Sequence, residues 1–387
     1  MNQMPDLQKL AAEAGEWRRE LHQIPEILFD LPQTSGFVAD KLRSFGCDEV
    51  HTGIATSGVV AVIRGKNGQG RSIALRADMD ALQIEEQTNL SHASKNPGRM
   101  HACGHDGHTA MLLAAAQALC KSRDFEGQVV LIFQPAEEGG GGARVMLAEG
   151  LLDRFAIDEV YAMHNQPGLP VGAFASRAGP LLAAGDRFVI TLTGRGGHAA
   201  SPHLCNDAVV AQAHLVVALQ SIAARHTDPV DHAVLSVTYL SAGSADALNV
   251  IPAQLRLGGT IRALNPKVRL SNEQRLREIV AGIAQTFDIE AELEWRPGYP
   301  VTVNDPAMVH HALAAARSLQ SGSVDDDFPP EMGSEDFSYM LEKRPGALVW
   351  IGNGDSADLH HPGYDFNDAA ILPGLRYWLA LVQARLG

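Results

Sequence analysis

The feature that most limits how this chain can fold is an alternation of short, continuously apolar runs with longer segments of helical period. GVVAVIRG (58–65), SIALRAD (72–78), QVVLIFQ (128–134) and a run ending at Ala162-Met163-His164 are of strand length and rich in Val, Ile, Leu and Ala. Strands apolar on both faces belong in a sheet covered by helices on both sides. The intervening segments supply such helices, with helical patterning over 6–23, 33–45, 108–120 (HTAMLLAAAQALC) and 141–149. A polar loop spans 79–106. The expected fold class is therefore α/β.

Near Gly185 the pattern changes. FVITLTGRG (188–196), HAVLSVTYLSAG (232–243), AQLRLGGTIRAL (253–264) and IEAELEW (289–295) read as strands, with helices over 207–225 and 268–286. The order β-α-β-β-α-β is that of a split βαβ, ferredoxin-like α+β domain. After Pro297 the chain returns to the first pattern, ending in the strand GALVWIG (346–352) and a helix over 368–386. The expected organisation is a first domain built from 1–184 and 297–387, with 185–296 inserted as a second. A chain of 387 residues is long enough for two cores.

Charge narrows the partners. With 31 Lys+Arg against 45 Asp+Glu, the formal net charge is -14, and binding to nucleic acid needs concentrated positive charge instead. The opening MNQMPDLQKLAAEAGEWRRE lacks the basic start and apolar core of a leader peptide. No run of about 18 residues is uninterruptedly apolar, so no membrane partner is expected. Cys47, Cys103, Cys120 and Cys205 show no disulfide framework, and the expected location is a reducing cytoplasm.

Five segments carry groups with chemistry. The densest is His101-Ala102-Cys103-Gly104-His105-Asp106-Gly107-His108. Thiolate and imidazole ligands suit zinc, cobalt, nickel or manganese; the plainer alternative is a polar loop with incidental histidines. Gln134-Pro135-Ala136-Glu137-Glu138 follows an apolar strand, and adjacent carboxylates can divide metal binding from proton transfer. Arg76-Ala77-Asp78-Met79-Asp80 also follows a strand, where an aspartate can orient a ligand histidine. His164 ends a strand, and His360-His361-Pro362 precedes the last helix. Four of the five follow an apolar strand of one expected sheet, so a common cleft at the carboxyl ends of strands would gather them. A sixth segment, Gly194-Arg195-Gly196-Gly197-His198-Ala199-Ala200-Ser201-Pro202, offers a histidine on a glycine turn. That imidazole could donate to a developing oxyanion or be merely an exposed hairpin tip.

Together these segments resemble the aminoacylase/carboxypeptidase family of dinuclear metallopeptidases, in particular its hippurate hydrolase and auxin-conjugate amidohydrolase branch. The motifs WRRELH (17–22), ADMDAL, MHACGHDGHTAML, VVLIFQPAEEG, GRGGHAASPH, ALNVIPA, MGSEDFS and YDFND (364–368) occur in the expected order across nearly the whole chain. One departure, Gln83 where the family usually has proline, touches the shape of a loop and no proposed ligand.

The resemblance implies a mixed-sheet, zinc-exopeptidase-like catalytic domain with a smaller lid or dimerisation domain inserted. It implies two divalent ions held by Cys103, His105, Glu138, His164 and His360, with Cys103 where related branches use a bridging carboxylate. It further implies Glu137 as general base, Asp80 as the aspartate behind the metals and His198 as the oxyanion donor. Asn249 and Arg262 resemble residues that hold a substrate carboxylate. The implied partners are a small N-acyl amino acid and a second copy of the chain, as a homodimer or higher homo-oligomer. The implied activity is metal-dependent hydrolysis of the amide of hippurate-like or N-acetyl amino acids. Dipeptide or succinyl-diamino-acid hydrolysis by the same chemistry stays open, as do a cysteine hydrolase using Cys103 as nucleophile with His105 or His108 and a non-catalytic binding protein. The native metal stays open among Mn, Zn, Ni and Co.

Overall fold

In the computed structural model the structure describes residues 5–66 and 69–387. The first four residues of the N-terminal stretch read for a leader, which also open the expected 1–184 segment, lie outside the described residues. The chain forms two compact units: Met1–Gly179 with Val303–Pro329 and Asp336–Gly387, and Pro180–Thr302 with Pro330–Glu335.

The first unit is built on an eight-stranded mixed sheet. In spatial order its strands are Glu49–Ile54, Gly58–Arg64, Gln128–Gln134, Ser72–Asp78, Glu159–Pro167, Gly346–Gly354, Phe174–Ala175 and Val324–Asp325. Ser72–Asp78 pairs in parallel with Gln128–Gln134 on one side and Glu159–Pro167 on the other. Every residue of Ser72–Asp78 is buried, which is why that run is apolar without alternation. The chain leaves it first toward one neighbour and later toward the other. That reversal opens a crevice at the carboxyl ends of the three strands.

Helices Leu7–His22, Pro32–Phe45, His105–Ser122, Pro306–Ser318 and Ile371–Leu386 cover the sheet. His105–Ser122 is buried along almost its whole length, so its composition is apolar all round rather than on one stripe. It begins three residues before the 108–120 pattern, so His105 lies inside its first turn. The 79–104 stretch is held by short backbone pairings, Ile27 with Ala81 and Leu82 with Met100.

The second unit is an antiparallel sheet in the order Ala233–Ala242, Gln254–Ala263, Ala184–Thr193, Glu290–Arg296. Helices Ala208–Leu219 and Pro266–Phe287 pack on it around Phe188, Ile190, Leu192, Leu215, Leu257, Leu276 and Val280. Ala184–Thr193 alternates buried and less buried positions, as a sheet with one packed face requires. The helix expected over 207–225 ends at Leu219 and is followed by a wider turn, Ile222–His226. The stretch Ala208–His226 has the length and composition of a membrane span, although polar Gln212, His214 and Gln220 interrupt it. Its Ala211, Leu215, Leu219 and Ile222 are spent in this unit's core.

Candidate metal centre

The site is assembled from the carboxyl ends of the three parallel strands, the start of one helix and one C-terminal loop. Asp78 ends its strand. His105 and His108 lie three apart in the first turn of the buried helix, on one face. Glu137 and Glu138 follow the strand Gln128–Gln134, and His164 lies in Glu159–Pro167. His360 is brought in by its backbone N–H, which donates to the Ala102 carbonyl at 2.8 Å.

Five donors converge. Cys103, Glu138 and His360 place ligand atoms within 4.8 Å of one another. Nε2 of His105 is 3.8 Å from Oε1 of Glu138. Nε2 of His164 is 3.5 Å from Sγ of Cys103. These contacts link Cys103, His105, Glu138, His164 and His360 in one cluster, with Cys103 between His164 and the Glu138–His360 pair.

Hydrogen bonds fix which nitrogen each histidine offers. His105 Nδ1–H donates to the Asp80 carbonyl at 2.8 Å, and His164 Nδ1–H donates to the Asn165 carbonyl at 2.8 Å. Each neutral ring therefore turns its Nε2 lone pair inward, the arrangement of a metal-ligating histidine held from behind. His108 differs, although it lies within a group of four potential ligands with Asp78, His105 and His164. Its Nε2 accepts the Asn165 backbone N–H at 2.9 Å, and its Nδ1–H donates to Asp78 at 2.6 Å. With both nitrogens committed, it braces the site rather than offering a ligand.

The electrostatics ask for a cation. Burial disfavours a charged His105, yet Asp78, Asp80 and Glu138 outweigh it and push its pKa up to about 10. The Cys103 thiol is pushed far upward by burial and by Glu138, Glu137 and Asp78. Burial and the neighbouring His108 keep His164 neutral, its pKa far below the ordinary range. Among the described residues, Nε2 of His105 is buried with no hydrogen-bond partner and Oε1 of Glu138 has only a long approach from His360 Nε2 at 3.4 Å, a costly condition unless another group completes them. A soft thiol, imidazoles and carboxylates crowded around orphaned donor atoms fit divalent transition-metal ions.

The support reaches far back. Asp80 accepts the backbone N–H of Glu137 at 2.9 Å and of Glu138 at 3.1 Å. Ala136, just before them, has φ 58°, and His360 has φ 65°. Left-handed backbone at non-glycine residues is sparsely populated and tends to mark functional loops. Arg76 donates to Asp78, Gln134 and Asp336 at 2.7, 2.9 and 3.1 Å. Arg18 donates to Asp368 and Asp365 at 2.8 and 2.9 Å, which ties the 17–22 motif to the 364–368 motif. His22 meets Asp106 at 2.8 Å.

The other three residues expected from sequence belong to the second unit. His198 pairs with Val250 across a short two-stranded ribbon. Its Nδ1 accepts the Ala200 N–H at 3.0 Å, which leaves the proton of a neutral ring on Nε2. Asn249 is exposed and its carbonyl accepts the Ala199 N–H at 2.9 Å. Arg262 donates to the Met332 carbonyl and to Ser334 Oγ at 2.8 and 3.0 Å.

Residues 74–384 match the model of Peptidase family M20/M25/M40. The chain belongs to this family. Over 383 residues it is 39% identical to the hippurate hydrolase of Campylobacter jejuni, covering 98% of each chain. It is 40% identical over 356 residues to the N-acetyl-L-cysteine deacetylase of Bacillus subtilis, covering 92% of this chain and 84% of that one. A solved M20 structure from Bacillus subtilis, described as a dinuclear metal-binding peptidase, superposes with a TM-score of 0.84 at 35% identity. That match covers 97% of this chain and 98% of the other. Within this M20 fold, Asp78, Asn165 and Tyr364, whose Oη donates to Asn165 Oδ1 at 2.6 Å, were given no role from sequence, and His108 was considered only as a partner for a cysteine nucleophile. The spacing of three between His105 and His108, and of two between Asp78 and Asp80, was the available signal.

Proposed function

We propose that this M20 enzyme hydrolyses the amide bond of small N-acyl amino acids, releasing a carboxylic acid and a free amino acid. The observation that carries the reading is the convergence of Cys103, His105, Glu138, His164 and His360, with Glu137 beside them. The names of its relatives, a hippurate hydrolase and an N-acetyl-L-cysteine deacetylase, support the substrate class.

Two divalent ions held by those five residues would supply Lewis acidity for the scissile carbonyl and for a water. The donor set suits Mn, Zn, Ni or Co. The chain's own residues do the rest. Glu137, buried and anchored through its backbone to Asp80, takes the proton of the attacking water and returns one to the leaving amine. Asp80 holds the loop, and Asp78 holds His108. His198 is assigned to the oxyanion, and Asn249 and Arg262 to the substrate carboxylate, on the strength of their motifs. The Nε2 proton of His198 is of the right kind for the first role.

Two rival readings lose support. A cysteine nucleophile needs a lowered thiol pKa, whereas burial, with Glu138, Glu137 and Asp78 beside it, raises that of Cys103. A non-catalytic protein has no need of a buried carboxylate beside five converging donors. Dipeptides and succinyl-diamino acids would use the same centre and are separated only by substrate.

For assembly we propose a homodimer through the second unit, whose outer strand Ala233–Ala242 leaves Tyr239 and Leu240 exposed at the sheet edge. The four free thiols fit a cytoplasmic location.

The test is amine release from N-benzoylglycine, N-acetylated amino acids, dipeptides and a succinyl-diamino acid, with the protein metal-loaded and after chelation. Release from the N-acyl amino acids that chelation abolishes supports the reading. Activity confined to dipeptides or succinyl amides replaces the substrate class, and release that survives chelation overturns the metal chemistry.

A further inference from the structure

Outside the metal centre, two cysteines separated by 73 residues of sequence hold their Sγ atoms 3.6 Å apart. Cys47 follows Gly46, whose left-handed conformation (φ 83°) ends the helix Pro32–Phe45. Cys120 lies in the last turn of His105–Ser122. The two turns are clamped by Arg123, which donates to Asp48 Oδ2 at 2.6 Å and to the Gly46 carbonyl at 2.8 Å. The Gly46 backbone and the Asp48 side chain, on either side of Cys47, are thus tied to a residue three beyond Cys120. Cys47 is partly exposed, and Cys120 is 8% exposed. The metal centre uses neither thiol.

We propose that Cys47 and Cys120 form a reversible oxidation site that closes to a disulfide by exchange with a low-molecular-weight disulfide. Cys47, the more accessible sulfur, attacks one sulfur of the oxidant as its thiolate. A mixed disulfide forms and one small thiolate leaves. Cys120 then attacks Cys47 Sγ, the protein disulfide forms and the second small thiolate leaves. The two protons of the cysteines end on the two released thiols; the protein pair is oxidised and the small disulfide reduced. Closure needs a sulfur–sulfur distance of about 2.05 Å, an approach from the present 3.6 Å. The bond would enclose three strands and the Cys103 loop, constraining the unfolded chain over a long segment.

The experiment uses the full, metal-loaded protein treated with oxidised glutathione, then alkylated and mapped by mass spectrometry without reduction. A Cys47–Cys120 linked peptide is expected, reversed by dithiothreitol and absent from Cys47→Ser, with Cys103 and Cys205 unlinked. Oxidised protein should also melt about 5 °C or more higher than reduced protein, and treated Cys47→Ser should show no such rise. A persistent glutathione adduct on either cysteine, a linkage through Cys205, or no reaction at all would overturn the proposal.

Discussion

The backbone N–H of Glu137 donates to Oδ1 of Asp80 at 2.9 Å, so the proposed base is fixed by its main chain while its carboxylate is left to act. Replacing Glu137 with Gln keeps the volume and the main-chain bond but removes the proton acceptor. Turnover should fall by about 10² to 10⁴ with metal content unchanged. Steady-state kinetics beside metal analysis checks this, and near-normal kcat would remove Glu137 from the role.

Asp80→Ala strips the acceptor from both Glu137 and Glu138 N–H groups. Loss of such an orienting carboxylate typically weakens metal binding by about 10- to 100-fold. Competition with a chromophoric chelator measures it. Unchanged affinity would show that Ala136 and its neighbours hold the loop without Asp80.

Gly104 has φ 86°, and a Cβ there would lie 2.4 Å from Asn165 Nδ2 and 2.6 Å from Tyr364 Oη. Asn165 Nδ2 also donates to the Cys103 carbonyl at 2.6 Å. Gly104→Ala should therefore destabilise the fold by roughly 1–3 kcal/mol and displace Cys103. Thermal melting and metal stoichiometry should both drop; loss of neither would mean that the loop absorbs the methyl group.

His22 supplies a pH dependence. It is buried, which disfavours its charge, but Asp106 and Glu86 overcome burial and push its pKa up to about 9, against 6.5 in an unfolded chain. A raised pKa stabilises fully below the unfolded value and is lost as pH rises through the folded one. The separation corresponds to roughly 3 kcal/mol. Stability by urea unfolding should thus decline between about pH 6.5 and 9. His22→Gln should flatten that decline, and an equal decline in both proteins would refute the assignment. On the acid side Glu86, opposed by burial but held down to about 2 by His22, Thr88 and the Ser94 N–H, contributes above its unfolded pKa and loses that contribution as pH falls.

Much of the site was legible because short-range periodicity decides which residues share a strand end or a helix face. The runs at 72–78 and 128–134 match their observed strands. Strands Phe174–Ala175 and Val324–Asp325 went unread because two residues carry no period. The helix expected over 207–225 was read as one piece, since an apolar composition does not mark where the turn widens at Ile222–His226. Asp336, part of the MGSEDFS motif, takes its meaning only from its contacts: it accepts from Arg76, Gln134 and the Ala143 N–H at 3.1, 2.7 and 2.9 Å.

By itself the sequence determined the α/β alternation, the β-α-β-β-α-β order after Gly185 and which side chains carry metal-ligand chemistry. Those follow from local apolar period and from side-chain chemistry, which need no knowledge of neighbours. Only the tertiary structure decided what each residue does with its lone pairs. His105 and His108 share one helical turn, yet among the described residues Nε2 of His105 has no hydrogen-bond partner while Nε2 of His108 is taken by Asn165, 57 residues further on. That difference arises because Glu159–Pro167 pairs beside Ser72–Asp78 and carries the Asn165 N–H to one histidine and not the other. Periodicity sets the face a side chain occupies; the partner it meets there depends on which distant strand the sheet places alongside.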